Sequence, residues 1–238
     1  MSGVWSGPDW RIECGDCLEL LKTLPSGSVD AVVTDPPYGI DIVGRSPRTL
    51  GTSKACRSNV YVPILGDDRP FDPNPWLAFA PVVCLWGANH FANRLPASSS
   101  WLVWDKREGG ASDAWADCEM AWTNAGGPAR LFNHLWRGMI RASEREDRRC
   151  HPTQKPVELM KWCLEMAEVP EGATVLDPYM GSATTGVACL QTGRKFIGFE
   201  LDRKYCELGA RRLADVAPLF RPPSEPQKGA GLFAREEA

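Results

Sequence analysis

Short apolar runs separated by turns and by helical patterns organise most of this chain. The runs predict β-strands at 10–14, 29–34, 82–86, 101–105, 118–123, 174–177 and 195–200. Apolar positions at helical spacing predict helices over 17–24, 157–166, 184–190 and 205–216. We expect the strands at 101–105 and 118–123 to pair as an antiparallel hairpin with a long loop. Strands that alternate with helices predict an α/β fold.

Periodicity fails in four other stretches. Residues 1–9 predict an irregular lead-in, and 39–75 predicts a lid, a binding loop or a disordered segment. Residues 130–149 carry six arginines against three acids, which indicates either a solvated helix face or a surface that follows phosphates. The Pro, Ser, Gly and Glu content of 217–238 predicts a flexible C-terminal tail. We therefore expect one domain over 1–216.

Composition narrows the class of protein. The 238 residues are 43% hydrophobic and 24% charged, as is typical of a globular protein, and the net charge of −3 offers nucleic acid no general attraction. The chain contains no apolar stretch of membrane-spanning length and no signal-peptide pattern, so we expect a cytoplasmic protein with no membrane partner. The nine cysteines favour buried reduced thiols, and the single C-x-x-C at Cys14 and Cys17 lacks a second pair for zinc.

The sequence Asp35-Pro36-Pro37-Tyr38 ends one of the predicted strands. Two prolines make a stiff loop there, at the edge of an open α/β sheet where ligands bind. The loop offers a carboxylate, free carbonyl groups and an aromatic ring. This set suits a planar ring that carries an amine, although an ordinary strand-to-loop turn with a solvated Asp remains an alternative.

A second candidate site begins at Asp177 and reaches Glu200. Strand, small-residue turn, helix, strand and terminal acid form a βαβ unit that can seat a nucleoside, with Glu200 on the ribose hydroxyls. The turn lacks the three glycines of a dinucleotide site and any basic residue, which disfavours NAD and pyrophosphate. Tight strand–helix packing is the alternative explanation of the small residues.

Residues 151–156 read His-Pro-Thr-Gln-Lys-Pro immediately before a predicted helix. Two prolines around polar side chains predict a rigid polar hook. A plain helix lead-in, with Thr153 as the N-cap, is the alternative.

Taken together, these motifs resemble those of the DNA amino-methyltransferases, over about 10–38 and 80–216. D-P-P-Y at 35–38 resembles the catalytic motif of that family, and D-P-Y-M-G-S-A-T-T at 177–185 its cofactor loop. The catalytic motif comes first and H-P-T-Q-K-P lies just before the cofactor loop, as in the circularly permuted beta group. Ala183 and Tyr179 depart from the commoner Gly and Phe.

The resemblance implies a Rossmann-like class I methyltransferase fold with a seven-stranded mixed sheet whose seventh strand is antiparallel. In that fold 174–177, 195–200, 10–14, 29–34 and 82–86 would be strands one to five. The hairpin would supply strand six and the reversed strand seven. Asp35 and Asp177 would then lie on adjacent strand ends, in one crevice.

The resemblance also implies the roles of the site residues. Catalysis would rest on Asp35, Pro36, Pro37 and Tyr38, with Tyr38 stacked on a target base extruded from the duplex while Asp35 and the Pro36 carbonyl accept from its amine. S-adenosyl-L-methionine would contact Asp16, Cys17, His151, Thr153, Lys155, Asp177, Tyr179, Gly181, Ser182, Thr184 and Glu200. Within that set, Glu200 would bind the ribose, Asp16 the adenine amine, and Thr153 and Lys155 the carboxylate. No metal is needed.

Double-stranded DNA is the implied partner, with a homodimer as a further expectation. The segments 39–75 and 124–150 would contact DNA and read a brief site. The arginines expected on DNA are Arg45 and Arg48, for a groove, and the helically spaced Arg137, Arg141 and Arg145, for phosphates.

Asp before Pro-Pro-Tyr goes mostly with adenine in this family, so we expect N6-methyladenine as the product. Three alternatives remain open: methylation of cytosine N4, methylation of glutamine in release factors, and a catalytically idle DNA-binding module. With no nuclease motif evident, a solitary or partner-encoded methyltransferase is favoured over a fused restriction enzyme.

Overall fold

A computed structural model describes residues 3–40, 65–110, 116–137, 140–144 and 154–216. Within these ranges the strands are Val4–Gly7 (β1), Trp10–Cys14 (β2), Ala31–Thr34 (β3), Val82–Trp86 (β4), Trp101–Asp105 (β5), Cys118–Thr123 (β6), Arg130–Asn133 (β7), Trp136–Arg137 (β8), Ile140–Arg141 (β9), Thr174–Asp177 (β10) and Lys195–Glu200 (β11). The helices are Cys17–Leu21 (α1), Asn74–Leu77 (α2), Val157–Met166 (α3), Thr184–Gln191 (α4) and Arg203–Val216 (α5), with 3₁₀ turns at Ala88–His90 and Ala92–Arg94.

The described strands form one large sheet in the order β1-β2-β11-β10-β3-β4-β6-β5-β7, with β8 and β9 as a separate pair. The five strands from β2 to β4 are parallel. Strand β6 runs antiparallel to both β4 and β5, so the predicted hairpin and the reversed strand are confirmed. The part of the sheet that the structure describes has nine strands rather than the expected seven, because β1 and β7 extend its two edges.

The prediction of an irregular lead-in over 1–9 is wrong for Val4–Gly7, which forms a strand. Val4–Gly7 pairs antiparallel with β2, and Trp5 packs against the core with the Arg203 guanidinium 5.6 Å from its ring centroid. An edge strand needs hydrogen bonds on one side only, so Ser and Gly are tolerated at positions that a central strand would fill with apolar side chains.

The helical spacing expected for the arginines of 130–149 is also wrong where the structure describes it. Arg137 and Arg141 lie on opposite strands of the β8–β9 hairpin. Aromatic residues at every second position explain the extended backbone: Phe132 stacks on His134 with ring centroids 5.6 Å apart, and His134 is followed by Trp136 at 6.3 Å. A period of two marks a strand.

Two apolar layers cover the central strands. Ala31 and Val33 of β3 face the layer that contains α3, α4 and α5, whereas Val32 faces the layer that contains Trp76 and Phe91. A parallel strand buried on both faces requires apolar residues at successive positions, which is why these strands appear in the sequence as continuous runs. No helix in the described ranges is long and apolar enough to span a membrane.

Helix α4 packs on the sheet through Gly186. A Cβ atom there would lie 2.7 Å from Cδ1 of Phe196 and 2.9 Å from Cδ2 of Leu213. Both neighbours are fully buried, so neither side chain has room to withdraw.

We therefore expect Gly186→Ala to lower the free energy of unfolding, measured by urea denaturation. Overpacking costs about 1–3 kcal/mol, which exceeds the gain of roughly 1 kcal/mol in helix propensity. Gly15→Ala is the matched control, because the nearest atom to its new methyl group is 3.5 Å away. A Gly186→Ala variant as stable as wild type would contradict this packing.

Candidate active site

The loop after β3 and the turn after β10 face one cavity of about 670 Å³. Parallel pairing of β3 with β10 places both carboxyl ends at the same edge of the sheet. Every predicted catalytic or cofactor residue in the described ranges lines this cavity: Asp16, Cys17, Asp35, Pro36, Pro37, Tyr38, Lys155, Asp177, Tyr179, Gly181, Ser182, Thr184 and Glu200. His151 and Thr153 lie outside the described residues.

Asp177 ties the two motifs together. Its carboxylate accepts hydrogen bonds from the Thr34 hydroxyl at 2.6 Å, the Thr185 hydroxyl at 2.7 Å and the Tyr179 N–H at 3.1 Å. These contacts join β10 to β3 and to α4. Burial raises the pKa of Asp177 to about 6, although the three hydrogen bonds favour the ionised form. The Asp177 carboxylate therefore holds together the strand, the turn and the helix that form this wall of the cavity.

The turn between Asp177 and α4 brings main-chain N–H groups to the cavity. Gly181 has a φ of +49°, and Ala183 has a φ of +60° in the left-handed region that favours glycine. Ala183 occupies a position where the DNA amino-methyltransferases more often have Gly. The left-handed backbone at this position explains the preference for Gly. The Gly181 N–H donates to Glu200 at 3.1 Å, which fixes the acid at the end of β11.

Glu200 and Asp16 stand side by side at the ends of adjacent strands. The second oxygen of Glu200 accepts from the Asp202 N–H at 2.8 Å, and its main-chain carbonyl accepts from the Gly15 N–H at 2.9 Å. Burial raises the pKa of Glu200. Asp16 caps α1 through Oδ1, which accepts from Leu18 at 2.9 Å. Each carboxylate keeps capacity for further donors.

Tyr179 and Cys17 close the side of the cavity between these acids. The Tyr179 ring packs edge-on against Phe71 and Trp76, with centroids 5.9 Å and 5.7 Å away. Its hydroxyl interacts with the Cys17 thiol, and burial is the main cause that raises the pKa of both groups. The departure from Phe to Tyr therefore adds a polar contact within the wall and leaves the aromatic packing in place.

The Asp35 carboxylate is held by two donors. The Tyr38 hydroxyl donates to Oδ1 at 2.6 Å, and the Lys155 ammonium forms an ion pair with Oδ2. Lys155 also pairs with Glu119 Oε2 at 3.0 Å, and Lys106 pairs with Glu119 Oε1 at 2.9 Å. Four charges of alternating sign thus connect β5, β6 and the loop before α3 with the loop after β3.

Neighbouring charges keep Glu119 and Lys155 ionised. Burial alone would raise the pKa of Glu119, but Lys155 and Lys106 outweigh it and hold that pKa at about 2. Burial alone would lower the pKa of Lys155, but Asp35 and Glu119 outweigh it and raise that pKa well above its usual range. Burial and the Asp35 charge raise the pKa of Tyr38, so its hydroxyl stays protonated.

The Tyr38 ring is positioned by the turn after β4. It stacks on His90 with centroids 4.9 Å apart and planes 15° from parallel. Gly87 has a φ of +68°, and a Cβ there would lie 1.9 Å from Cε1 of Tyr38. Only glycine leaves space for the ring at this point.

Sequence reasoning missed four polar residues around the motif. Glu119 and Lys106 are described above, and Asp67 accepts from the Gly39 N–H at 2.9 Å, beside the loop that carries Asp35. Glu144 accepts from the Val157 N–H at 2.7 Å, at the start of α3. The one available signal was Glu119, a charged residue inside an otherwise apolar strand.

The predicted DNA contacts are described only in part. Arg45, Arg48 and Arg145 lie outside the described residues, as does the side chain of Arg137. The Arg141 guanidinium lies 5.1 Å from the ring centroid of Trp136. Arg141 is not among the residues that line the cavity.

Comparison with known proteins identifies the family. A sequence profile described as DNA methylase matches residues 97–211. YubD of Escherichia coli (strain K12), which carries the name of a methylase, is 31% identical over 210 residues, with 85% of this chain and 89% of that protein aligned. The chain belongs to the DNA methylase family. The type II methyltransferase M.HinfI of Haemophilus influenzae is 26% identical over 246 residues, which cover 86% of this chain and 68% of that protein.

Solved structures of DNA methyltransferases have the same fold. The M1.HpyAVI complex with S-adenosylmethionine superposes with a TM-score of 0.55 at 19% identity, covering 86% of this chain and 98% of that one. The cytosine-N4-specific PvuII DNA methyltransferase gives 0.57 at 16% identity, covering 92% and 96%. The prediction of a Rossmann-like methyltransferase fold is confirmed, as is the prediction of a DNA amino-methyltransferase at the level of family.

The raised pKa of Asp177 predicts a dependence of stability on pH. The folded state binds the Asp177 proton more tightly than the unfolded chain does, so this contribution is complete below about pH 4 and is lost as pH rises through about 6. Relative to Asp177→Asn, wild type should lose about 3 kcal/mol of unfolding free energy across that range. Urea denaturation at pH 4, 5, 6 and 7 measures the difference, and a constant difference would contradict the assignment.

Proposed function

We propose that this methylase transfers a methyl group to the exocyclic N6 amine of adenine in double-stranded DNA. S-adenosylmethionine is the proposed donor, and it supplies a methyl group bound to a positively charged sulfur. The observation that carries the proposal is the meeting of the Asp35 motif and the turn around Gly181 at one cavity. Its volume of about 670 Å³ is within the range of small-molecule sites.

The cofactor end of the cavity fits a nucleoside. Glu200 accepts two main-chain N–H groups and has lone pairs left for two ribose hydroxyls. Asp16 uses Oδ1 to cap α1, which leaves Oδ2 for an adenine amine. Tyr179, Gly181 and Ser182 would line the methionine end. The bound S-adenosylmethionine of M1.HpyAVI, a structure of the same fold, supports this donor.

The other end suits an amine on a planar base. The base leaves the duplex and stacks on Tyr38. Asp35 and the Pro36 carbonyl accept its two N–H groups, which draws the nitrogen towards a tetrahedral shape and frees its lone pair. The nitrogen would gain the methyl group as the bond from that methyl group to the sulfur breaks and leaves its electron pair on the sulfur, and the nitrogen would then lose one proton to solvent. A carboxylate beside it offsets the positive charge that develops before that proton leaves.

Adenine is proposed over cytosine because Asp precedes Pro-Pro-Tyr in this chain. Cytosine N4 is the second candidate target, because the cytosine-N4-specific PvuII methyltransferase has the same fold. Separation of nucleosides after digestion of the product distinguishes N6-methyladenine from N4-methylcytosine.

The remaining proposals concern how DNA is read. We propose one domain over 1–216 of the permuted beta group, with DNA-contacting insertions at 39–75 and 124–150 and a tail at 217–238. The motif order, in which the Asp35 loop precedes the Asp177 turn, supports the permuted arrangement. The five predicted arginines remain proposed contacts to DNA, and a second copy of the chain remains a proposed aid to recognition of a brief site.

Asp35→Ala should reduce methyl transfer by about 10²–10³-fold. The variant loses the acceptor for the target amine but keeps the cofactor end intact, so its affinity for S-adenosylmethionine should match wild type. Tritiated methyl transfer to unmethylated genomic DNA measures the first effect, and calorimetry measures the second. Asp68→Ala is the control, because Asp68 is an exposed acid in the described range 65–110, and this variant should keep full methyl transfer. Full activity in Asp35→Ala would refute the role of Asp35.

Glu200→Ala should weaken S-adenosylmethionine binding by roughly tenfold or more, because hydrogen bonds to a charged group contribute about 1.5–3 kcal/mol. The thermal shift that S-adenosylmethionine produces in wild type should be lost. Glu207→Ala, which removes an exposed acid of α5, should keep the shift. An unchanged shift in Glu200→Ala would place the nucleoside elsewhere.

A further inference from the structure

The Lys155 ammonium lies between two carboxylates from different strands. Asp35 follows β3, and Glu119 is on β6, two strands further along the sheet. Lys155 is almost wholly buried, with 7% of its side chain exposed, against 18% for Asp35 and 26% for Glu119. Its charge is therefore shared between the catalytic carboxylate and a second acid outside the predicted motifs.

Both oxygens of Asp35 already accept a donor. Tyr38 donates to Oδ1, and Lys155 pairs with Oδ2. Each oxygen keeps a further lone pair, but the Lys155 ammonium neutralises the carboxylate and so weakens it as an acceptor for an incoming amine. The Tyr38 ring is held by the Gly87 turn and by His90, so the Lys155 contact is the one that can yield.

Movement of Lys155 needs a second anion. A buried ammonium that leaves its partner without another counter-ion costs several kcal/mol. Glu119 is already 3.0 Å from Lys155, and Lys106 holds its other oxygen at 2.9 Å. The acceptor for the moving charge is thus present before the base arrives, although Lys106 shares its negative charge.

The two ends of the contact differ in stiffness. Asp35 is followed by two prolines, whereas Lys155 has a flexible four-carbon side chain in the segment before α3. Glu144 anchors the main chain just after that segment, through the Val157 N–H. The side chain of Lys155 can therefore shift while its main chain stays in place.

We propose that Glu119 is a positioning residue that draws Lys155 away from Asp35 when the target amine enters. This inference rests on the proposed function, because the amine is the donor that replaces Lys155 on Asp35. Lys155 keeps Glu119 as its ion-pair partner throughout, and Asp35 exchanges its ion pair with Lys155 for a hydrogen bond from the amine.

The first test is Glu119→Gln, which removes the second anion and keeps the shape of the side chain. Among the described residues, Asp35 is then the one charged partner left to Lys155, so Asp35 stays a poor acceptor for the amine. We expect kcat for methyl transfer to unmethylated genomic DNA to fall at least tenfold, with the KM for DNA and the affinity for S-adenosylmethionine within twofold of wild type. Glu207→Gln on α5 is the matched control and should leave all three unchanged.

The decisive variant is the double change Glu119→Gln with Lys155→Met. If Glu119 acts through Lys155, removing the ammonium frees Asp35 and should raise kcat at least fivefold above Glu119→Gln alone. Removing both partners of a buried ion pair can also restore stability, so a merely structural pair predicts that kcat recovers only together with the free energy of unfolding, measured by urea denaturation. A double variant no faster than Glu119→Gln would overturn the proposal.

Lys106→Gln provides a separate test that leaves the buried pair intact. It frees Glu119 from its other cation, so Lys155 should be drawn further from Asp35 and kcat should equal or exceed wild type. A fall in kcat would count against the proposal, and this variant decides the question if Glu119→Gln does not fold. A wild-type chain that transfers no methyl group refutes the proposed function and this inference together. An active wild type with an unaffected Glu119→Gln refutes the inference alone.

Discussion

The parallel pairing of β10 with β3 is the contact on which the whole site depends. Val175 opposes Ala31 and Leu176 opposes Val32, and just beyond them Thr34 donates to Asp177 across 143 positions of sequence. Since parallel strands end at the same edge of a sheet, this pairing sets the Asp35 loop beside the turn that holds Gly181. Two motifs far apart in the chain become two walls of one cavity. The left-handed backbone of Ala183 and the stiff Pro36-Pro37 step shape those walls locally.

The central sheet and the turn around Gly181 were predictable because burial leaves a clear pattern in the sequence. Strands such as Ala31–Thr34 are covered on both faces, so every position is apolar or small. The motif residues follow these strands directly, and adjacency in the sheet brought all the described ones to one cavity. Local chemistry and topology agreed there, as they do in sequences that specify one fold.

The edges of the sheet and the ion-pair network of Lys155 could not be predicted, because neither leaves a local pattern in the sequence. Strand β7 exposes Leu131 and Arg130, so it carries no burial pattern, and the spacing of Arg137 and Arg141 resembled a helix by chance. Lys155 lies 120 positions from Asp35 and 36 positions from Glu119 in the sequence. No local sequence pattern predicts contacts between residues so far apart. By the family resemblance Lys155 would bind the carboxylate of the cofactor, and in the structure its ammonium contacts two acids of the protein.

These contacts give the site an electrostatic order. Asp16 and Glu200 face the proposed nucleoside. The Asp177 carboxylate accepts hydrogen bonds that join β10 to β3. Asp35 shares the positive charge of Lys155 with Glu119. The proposed function requires that this site transfers methyl groups to DNA. The most direct measurement is to express the chain in a host that lacks DNA methylation and to map modified bases across the host DNA. The account predicts N6-methyladenine at one short recurring sequence. DNA without any methylated base, from cells that hold the folded protein, would contradict it.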